Sequence, residues 1–472
     1  MTAVSLASGA LQQVPRTIPK AVHFVGIGGV GMAALARFLL DRRHSVSGSD
    51  LHLSNLTSAL TGLGASIAEG HAAAHLPGNA QMVVYSSAVP ADSPELVAAR
   101  QRGLPVIKRA ALLGHILAEL RGVAVAGTHG KTTTSAMIAL ILQRARLDPS
   151  YLIGGYVPDL DGGARAGSGT HVVAEADEFD GSLSYLRPHI AVITNVEAEH
   201  LDYFGTEEHV VAAFREFALQ VPPDGALFLC ADDPRLRLIA GSWPAEAAQL
   251  VTYALDRPAG WTVAEEVIED GRWSFVACRA GVAWARCTLQ VPGRHNVANA
   301  LVAGAVAERL GVTPDVASDA LQSFRGVGRR FELHGTTSGV TIVDDYAHHP
   351  TEIRATIRAA RARFPGQRLA VLFQPHLFSR TRLLLADFGA SLSEADLVVI
   401  ADIYAAREPH DPGVSSRDLA SVLTPGVGHY GGDLKSAAAL LVELLRPGDV
   451  AFTMGAGDVN TAIPYLRATL SR

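Results

Sequence analysis

Cysteine is scarce. Cys230, Cys278 and Cys287 are the three in 472 residues, an odd number with no C-x-x-C pair. That excludes a disulfide framework and gives no support to a cysteine-based metal site. An excess of positive charge is also missing. Forty Lys and Arg against 46 Asp and Glu leave a formal charge of −6, the wrong sign for a nucleic-acid-binding surface. No apolar run reaches the roughly 20 residues that cross a bilayer, and the N-terminus carries no long apolar stretch. The guanine-reading pattern N-K-x-D is absent, which argues against a GTPase. A cytoplasmic enzyme without nucleic-acid or membrane partners is the resulting expectation, as a monomer or weak homodimer. The length suits two or three domains, and hydrophobic residues, 48% of the chain, are ample for packed cores.

The most informative stretch is Gly127–Thr134, GTHGKTTT, after the apolar run Val123–Ala126 and before an apolar segment, Ser135–Leu142, of helical length. A strand, a Gly-rich turn and a helix opening at Lys-Thr is how a chain grips a polyphosphate. Backbone N–H groups and the positive helix end face the anion, Lys131 adds a point charge, and the Thr132 hydroxyl suits Mg²⁺. The usual G-x-x-x-x-G-K-T would need glycine at 125, where this chain has valine; Gly127 gives a shorter loop.

A second glycine turn lies nearer the start. After a lead-in of about 18 residues, Ala21–Val25 reads as a buried strand, followed by Gly26-Ile27-Gly28-Gly29-Val30-Gly31 and an apolar helix through Leu40. This is G-x-G-x-x-G in its strand–turn–helix setting, and Asp50 ends the next strand about twenty residues on, where a ribose hydroxyl is often held. Alone it suggests an NAD-dependent oxidoreductase, but a UDP-sugar carries a diphosphate too. Ser86 and Ser87 follow the strand that starts at Met82.

Beyond the first phosphate loop, His171–Glu175 is a strand capped by the acidic segment Glu175–Asp180, and His189–Asn195 is another, followed by His200. Ligands gather at the carboxyl ends of parallel strands, so Glu175, His200 and Thr132 are candidates for one Mg²⁺. Asp177, Glu178 and Asp180 read equally well as a solvated loop. Trp261–Val291 suggests hairpins appended to the central sheet, with turns at Glu269–Arg272 and at Ala280-Gly281. Asn296 is placed to cap a helix spanning Val297–Leu310. Arg329 and Arg330 lie in a basic, hinge-like segment. Strands then end in Asp345-Tyr346-Ala347-His348-His349-Pro350, Gln374–Thr381, Asp402–Tyr404 and Met454–Asp458. Neighbours on an extended segment point opposite ways, so His348 and His349 do not read as a zinc pair. The expected fold is α/β in three domains: residues 1–120 Rossmann-like, 121–326 P-loop ATPase-like with a small antiparallel appendage, and 327–472 Rossmann-like.

Two phosphate cradles suit an enzyme that binds ATP and a diphosphate-linked molecule together. With HFVGIGGVGM at His23–Met32, GTHGKTTT, EADEFDG at Glu175–Gly181, TNVEAEHLDYF at Thr194–Phe204, PGRHN at Pro292–Asn296, RRFE at Arg329–Glu332, DDYAHHP at Asp344–Pro350, QPHLFSRT at Gln374–Thr381 and MGAGD at Met454–Asp458, the chain resembles the Mur ligases of peptidoglycan synthesis from about residue 20 to about 460. The short loop is the Gly-Thr-x-Gly-Lys-Thr form of that family.

The resemblance implies an ATP-dependent ligase that joins L-alanine to the lactyl carboxylate of UDP-N-acetylmuramate through an acyl phosphate. A ligase that attaches a preformed murein peptide is the alternative within the family. It further implies catalytic roles for Lys131, Glu175, His200 and Arg330, and Mg²⁺ on Thr132, Glu175 and His200. ATP would lie on Gly127, Thr128, His129, Gly130, Lys131, Thr132, Thr133, His295, Asn296, Asn299, Arg330 and Asp345. Gly28, Gly29, Val30, Gly31, Asp50, Ser86 and Ser87 would take the UDP-sugar, and Tyr346, His376 and Arg380 the amino acid. The carbamylated lysine of some family members has no counterpart here: no lysine occurs between Glu175 and the hairpins.

Overall fold

The computed structural model describes residues 15–269, 271–406 and 408–471. The first 14 residues, most of the expected lead-in, lie outside that range, as does Asp270 in the first hairpin turn. The chain divides into two compact units. One comprises Met1–Ala264, Val276–Cys287 and Ala298–Ser323; the other comprises Glu265–Phe275, Thr288–Val297 and Phe324–Arg472.

The first unit opens with a five-stranded parallel sheet of β1 (Ala21–Val25), β2 (Ser45–Asp50), β3 (Ser66–Glu69), β4 (Met82–Tyr85) and β5 (Val106–Lys108). Its order is β3-β2-β1-β4-β5, so connections leave β1 in opposite directions on its two sides. A crevice forms at such a reversal, and the glycine turn after β1 lies in it. The following helix, Val30–Asp41, buries Met32, Leu35, Ala36, Phe38 and Leu39, the spacing of a single apolar face.

The central sheet is larger. It contains β6 (Arg121–Ala126), β7 (Ser150–Leu152), β8 (Ala164–Arg165), β9 (His171–Glu175), β10 (Ile190–Ile193), β11 (Ala226–Cys230), β12 (Gln249–Tyr253), β13 (Trp261–Glu269), β14 (Arg272–Arg279) and β15 (Val282–Leu289). The order is β15-β14-β13-β12-β11-β10-β6-β9-β7-β8. The hairpin strands therefore continue this sheet, as expected. β6 pairs in parallel with β10 on one side and β9 on the other, again a reversal point. Its small apolar residues Val123–Ala126 are fully buried, because strands covered by helices on both faces cannot alternate with polar residues. The helix after it, Lys131–Arg144, is buried continuously from Thr134 to Leu142.

The second unit carries a six-stranded sheet: β16 (Glu332–Thr337), β17 (Val340–Asp345), β18 (Leu369–Phe373), β19 (Leu397–Ala401), β20 (Gly428–Gly432) and β21 (Val450–Met454), in the order β16-β17-β21-β18-β19-β20. Only edge strand β16 pairs antiparallel. One difference from the sequence reading is local. The helix expected from Val297 starts at Arg294, so Asn296 lies within its first turn and is not its cap. Its Nδ2 donates to the Pro292 carbonyl at 2.7 Å.

All three cysteines are buried. Among the described residues no helix is long and apolar enough to cross a membrane. Phe373 is fully buried and packs with Phe388 at a ring-centre distance of 5.6 Å. Phe373→Ala is expected to destabilise the second unit by about 3–5 kcal/mol, the usual cost of an aromatic-sized cavity, as read by urea unfolding.

Candidate active site

Register brings the first cluster together. Val125 of β6 stands opposite Glu175 of β9, and Ala126 opposite Ile193 of β10. The loop Gly127–Gly130, the acidic segment and Thr194-Asn195 therefore leave the sheet at one edge. Gly127 has φ +127°, and a Cβ there would lie 2.1 Å from the Thr194 hydroxyl oxygen. A side chain is excluded on both counts. Gly130, at φ +83°, begins the helix without a side-chain cap, and a Cβ on it would lie 2.8 Å from Asn299 Oδ1.

The loop is strapped to the neighbouring strand end. The Asn195 carbonyl accepts from Thr128 N–H at 3.1 Å. The Asn195 side chain bonds both backbone groups of His129, its Oδ1 accepting N–H at 2.9 Å and its Nδ2 donating to the carbonyl at 3.1 Å. Thr194 Oγ1 donates to the same carbonyl at 2.6 Å. These two residues received no role from the sequence. Their signal was their place at the end of an apolar strand adjoining β6.

Lys131 Nζ donates to the carbonyls of Gly127 (2.6 Å) and Thr128 (3.2 Å) and pairs with Glu178 at 3.0 Å. Burial alone would lower the lysine pKa, but the Glu178 and Asp177 carboxylates outweigh it and hold Lys131 above its ordinary value. Glu178 and Asp180 are thus not parts of a solvated loop. Glu178 is 2% exposed, and Asp180 accepts the Ser182 hydroxyl and lies 3.8 Å from Lys108 Nζ. Ligand atoms of Asp177, Glu178 and His200 lie within 4.8 Å of one another. His200 reaches this place through a left-handed backbone, φ +54°, at the head of the short helix Leu201–Phe204. Glu175 is not in that trio; its Oε1 accepts Gly154 N–H at 2.6 Å. A donor set dominated by carboxylates fits a hard cation such as Mg²⁺.

The other glycine turn forms a separate site in the same unit. N–H groups of Gly26 and Ile27 donate to the Ser49 carbonyl at 2.8 and 3.0 Å. Gly28 N–H donates to Asp50 Oδ2 at 2.7 Å, so the acid expected on a ribose also braces the turn. Ser86 lies against it: a Cβ on Gly26 would stand 3.2 Å from Ser86 Cβ. Arg109 was missed. Its guanidinium lies over the turn, Nη1 3.1 Å from where a Gly31 Cβ would be. It has no hydrogen-bond or ion-pair partner among the described residues. A cation at the positive end of a helix, with no carboxylate within ion-pair distance among the described residues, is arranged for an anion. Ser87, Lys108, Arg109, Asp180 and Ser182 line one small pocket, so this turn and the acidic segment share a lip.

In the second unit, Asp345 is 5% exposed and holds Phe331 N–H and Ala347 N–H, each at 2.8 Å. Burial raises its pKa to about 6, against the opposing pull of Arg330 and those two bonds. Arg329 and Arg330 lie over the Tyr346 ring at 4.9 and 5.0 Å. Rings then follow in series: Tyr346 and His348 (5.3 Å), His348 and His376 (6.1 Å), His376 and Tyr404 (5.7 Å, stacked). Arg380 Nη1 is 3.4 Å from His376 Nδ1. His348 and His349 act apart: His348 Nδ1 is 3.0 Å from the Tyr346 carbonyl, while His349 caps the helix Pro350–Arg363. His295 lies in the first turn of Arg294–Arg309, its ring facing Gly293. A cavity of about 330 Å³ lined by Arg329, Glu332, His334, Asp344, Asn460 and Arg467 contains none of the expected site residues. Arg329 already balances Asp344 there, at 3.3 Å.

Glycine turns at the reversal points of two parallel sheets, one leading into Lys-Thr with carboxylates alongside, define a nucleotide-binding α/β enzyme. Three family models match in order: Mur ligase family, catalytic domain, over residues 21–121; Mur ligase middle domain over 125–307; and Mur ligase, glutamate ligase domain, over 329–457. The chain belongs to the Mur ligase family. It is 45% identical, over 95% of its length and 96% of the relative's, to a UDP-N-acetylmuramate–L-alanine ligase of Sorangium cellulosum. Identity is 46% to the protein of that name from Paenarthrobacter aurescens, over 94% of this chain and 96% of the relative. Among solved structures, the UDP-N-acetylmuramate-alanine ligase of Thermotoga maritima matches with a TM-score of 0.80 at 28% identity, covering 96% of this chain and all of that one. A murein peptide ligase of Psychrobacter arcticus matches at 0.69 and 25%, covering 96% and 99%.

Asp345 makes a pH dependence testable. Its folded pKa of about 6 stands above the ordinary 3.8, so the stability tied to its neutral form is complete below 3.8 and is lost as pH rises through 6. The two-unit difference corresponds to roughly 3 kcal/mol. Asp345→Asn should therefore gain on the wild type between pH 4 and 7 and stay level above that, measured as unfolding free energy across the range.

Proposed function

We propose that the chain joins L-alanine to the lactyl carboxylate of UDP-N-acetylmuramate with hydrolysis of ATP to ADP and phosphate, in cytoplasmic assembly of peptidoglycan precursors. The observation that carries this reading is the pair of separate phosphate-gripping turns, after β1 and after β6. A nicotinamide oxidoreductase needs one; a ligase that activates a nucleotide-sugar with ATP needs both. Membership of the Mur ligase family and relatives named for this reaction support the same choice of substrates.

A carboxylate is a poor electrophile. Transfer of the terminal phosphoryl group of ATP to the lactyl carboxylate gives an acyl phosphate and ADP. The alanine amine, after losing a proton from its ammonium form, attacks the acyl carbon; the C–O bond to phosphate breaks and an amide forms. Moving a phosphoryl group between two anions requires positive charge held in place more than covalent help. In this reading Lys131 and the N–H groups of Gly127–Thr133 hold the β- and γ-phosphates, with Asn299 beside Gly130. Thr132, Glu175 and His200 would hold Mg²⁺, with Asp177 and Glu178 adding negative charge nearby. When bound, Mg²⁺ would supply charge neutralisation at the phosphates.

Gly28–Gly31, Asp50, Ser86 and Ser87 take the UDP-sugar, with Arg109 on its diphosphate. His295, Asn296, Arg330 and Asp345 serve the nucleotide. Tyr346, His376 and Arg380 serve the amino acid, whose carboxylate matches the Arg380 fork. We place the functional domains at residues 1–120, 121–326 and 327–472, and the working species as a monomer or weak homodimer.

The deciding assay measures ADP release with UDP-N-acetylmuramate while the amine is varied. Turnover with L-alanine, and not with the tripeptide or D-glutamate, is expected; preference for the tripeptide would move the assignment to the peptide-adding ligase. Lys131→Ala should abolish turnover and leave UDP-sugar binding intact by calorimetry. Arg109→Ala should do the reverse, weakening UDP-sugar binding about 10-fold or more, the loss of roughly one charge-assisted contact, with ADP affinity unchanged.

A further inference from the structure

Lys131 stands at the head of the helix Lys131–Arg144, where an incoming phosphate would meet it, yet its ammonium is fully engaged. It donates to the Gly127 and Thr128 carbonyls, at 2.6 and 3.2 Å. It also reaches both oxygens of Glu178, at 3.3 and 3.0 Å. An ammonium has three donors and no acceptor, so a phosphate oxygen can bond it only by displacing one of these groups. The two carbonyls belong to the loop that forms the cradle. Glu178 comes from another segment, 47 residues along the chain, and among the described residues it is the one carboxylate bonded to the ammonium. Its side chain is 2% exposed, so it holds this position inside the protein and does not collapse onto it from solvent. A buried ion pair broken on one side is costly, which makes exchange with another anion the accessible way to part it.

The displaced carboxylate has somewhere to go. Ligand atoms of Asp177, Glu178 and His200 already lie within 4.8 Å of one another. A cation arriving with the nucleotide would meet Glu178 there, while without a cation the freed carboxylate would repel the phosphates that replaced it.

We propose that Glu178 keeps the place of a nucleotide phosphate on Lys131, and that binding a nucleoside di- or triphosphate exchanges one anion for the other. This rests on reading Gly127–Thr133 as a phosphate cradle. Glu178 is thus a positioning residue that preserves the charged, correctly folded lysine between turnovers. It weakens nucleotide binding in the absence of a divalent cation and makes that binding depend on one.

The test is calorimetric titration of the full chain with ADP, once in EDTA and once with excess MgCl₂, alongside thermal melting to verify folding. Glu178→Gln keeps the shape and removes the charge. It should bind ADP in EDTA at least 10-fold more tightly than the wild type, and the gain in affinity on adding MgCl₂ should shrink at least 3-fold. Glu178→Asp keeps the charge but shortens the reach to Lys131, and should bind metal-free ADP about 3-fold more tightly; it serves if the glutamine variant fails to fold. Metal-free affinity equal to or weaker than the wild type in a folded variant would overturn the proposal, leaving Glu178 a structural partner only. Wild-type protein that binds no ADP under either condition would instead overturn the cradle itself, so the two failures are distinguishable.

Discussion

Parallel pairing in fixed register is the constraint on which the chemistry depends. In a parallel sheet every strand ends at the same edge, so loops far apart in sequence are delivered to one line. β6 is held between β9 and β10, and the ladders Val125↔Glu175 and Ile193↔Ala126 set where each strand stops. A slip of one residue would turn every side chain of the strand to the opposite face. Val123–Ala126 and Ile190–Ile193 are buried and apolar on both faces, so patterning alone does not set their register; the bonds of Thr194 and Asn195 to Ala126, Thr128 and His129 pin the strand ends. With those ladders in place, the Thr194-Asn195 strap, the Gly127–Gly130 loop and the acidic segment leave the sheet at one edge.

The same logic explains what could be read in advance. Strands flanked by helices are short, largely apolar runs, and β1 and β9 were recognisable from end to end. Glycines mark turns because a Cβ cannot be accommodated, and Gly127 is such a case. Hence the α/β architecture and both glycine turns were legible, as was the hairpin extension of the central sheet.

What was not legible is partnership across long stretches of chain. Nothing local separates Glu178 from Asp177 or Asp180 in an acidic string, yet Glu178 is the one inside, on Lys131. Arg109 opens a helix of no special pattern and acquires significance only because its side chain reaches past β4 to the turn after β1. Asn296 carried the composition of a helix cap, but the Pro292 carbonyl offered its amide a partner one turn back, and the helix begins two residues earlier. Tertiary placement decided the first two cases, and a local side-chain hydrogen bond decided the third.

The burial of every cysteine has a practical corollary. Burial pushes the thiol of Cys230 up to about 11 and that of Cys287 up to about 12, and only a thiolate attacks disulfides or alkylating probes at an appreciable rate. The folded protein thus offers labelling reagents almost nothing. A single cysteine engineered onto the surface would become its dominant reactive group, and a dye could be attached there without first removing the native three.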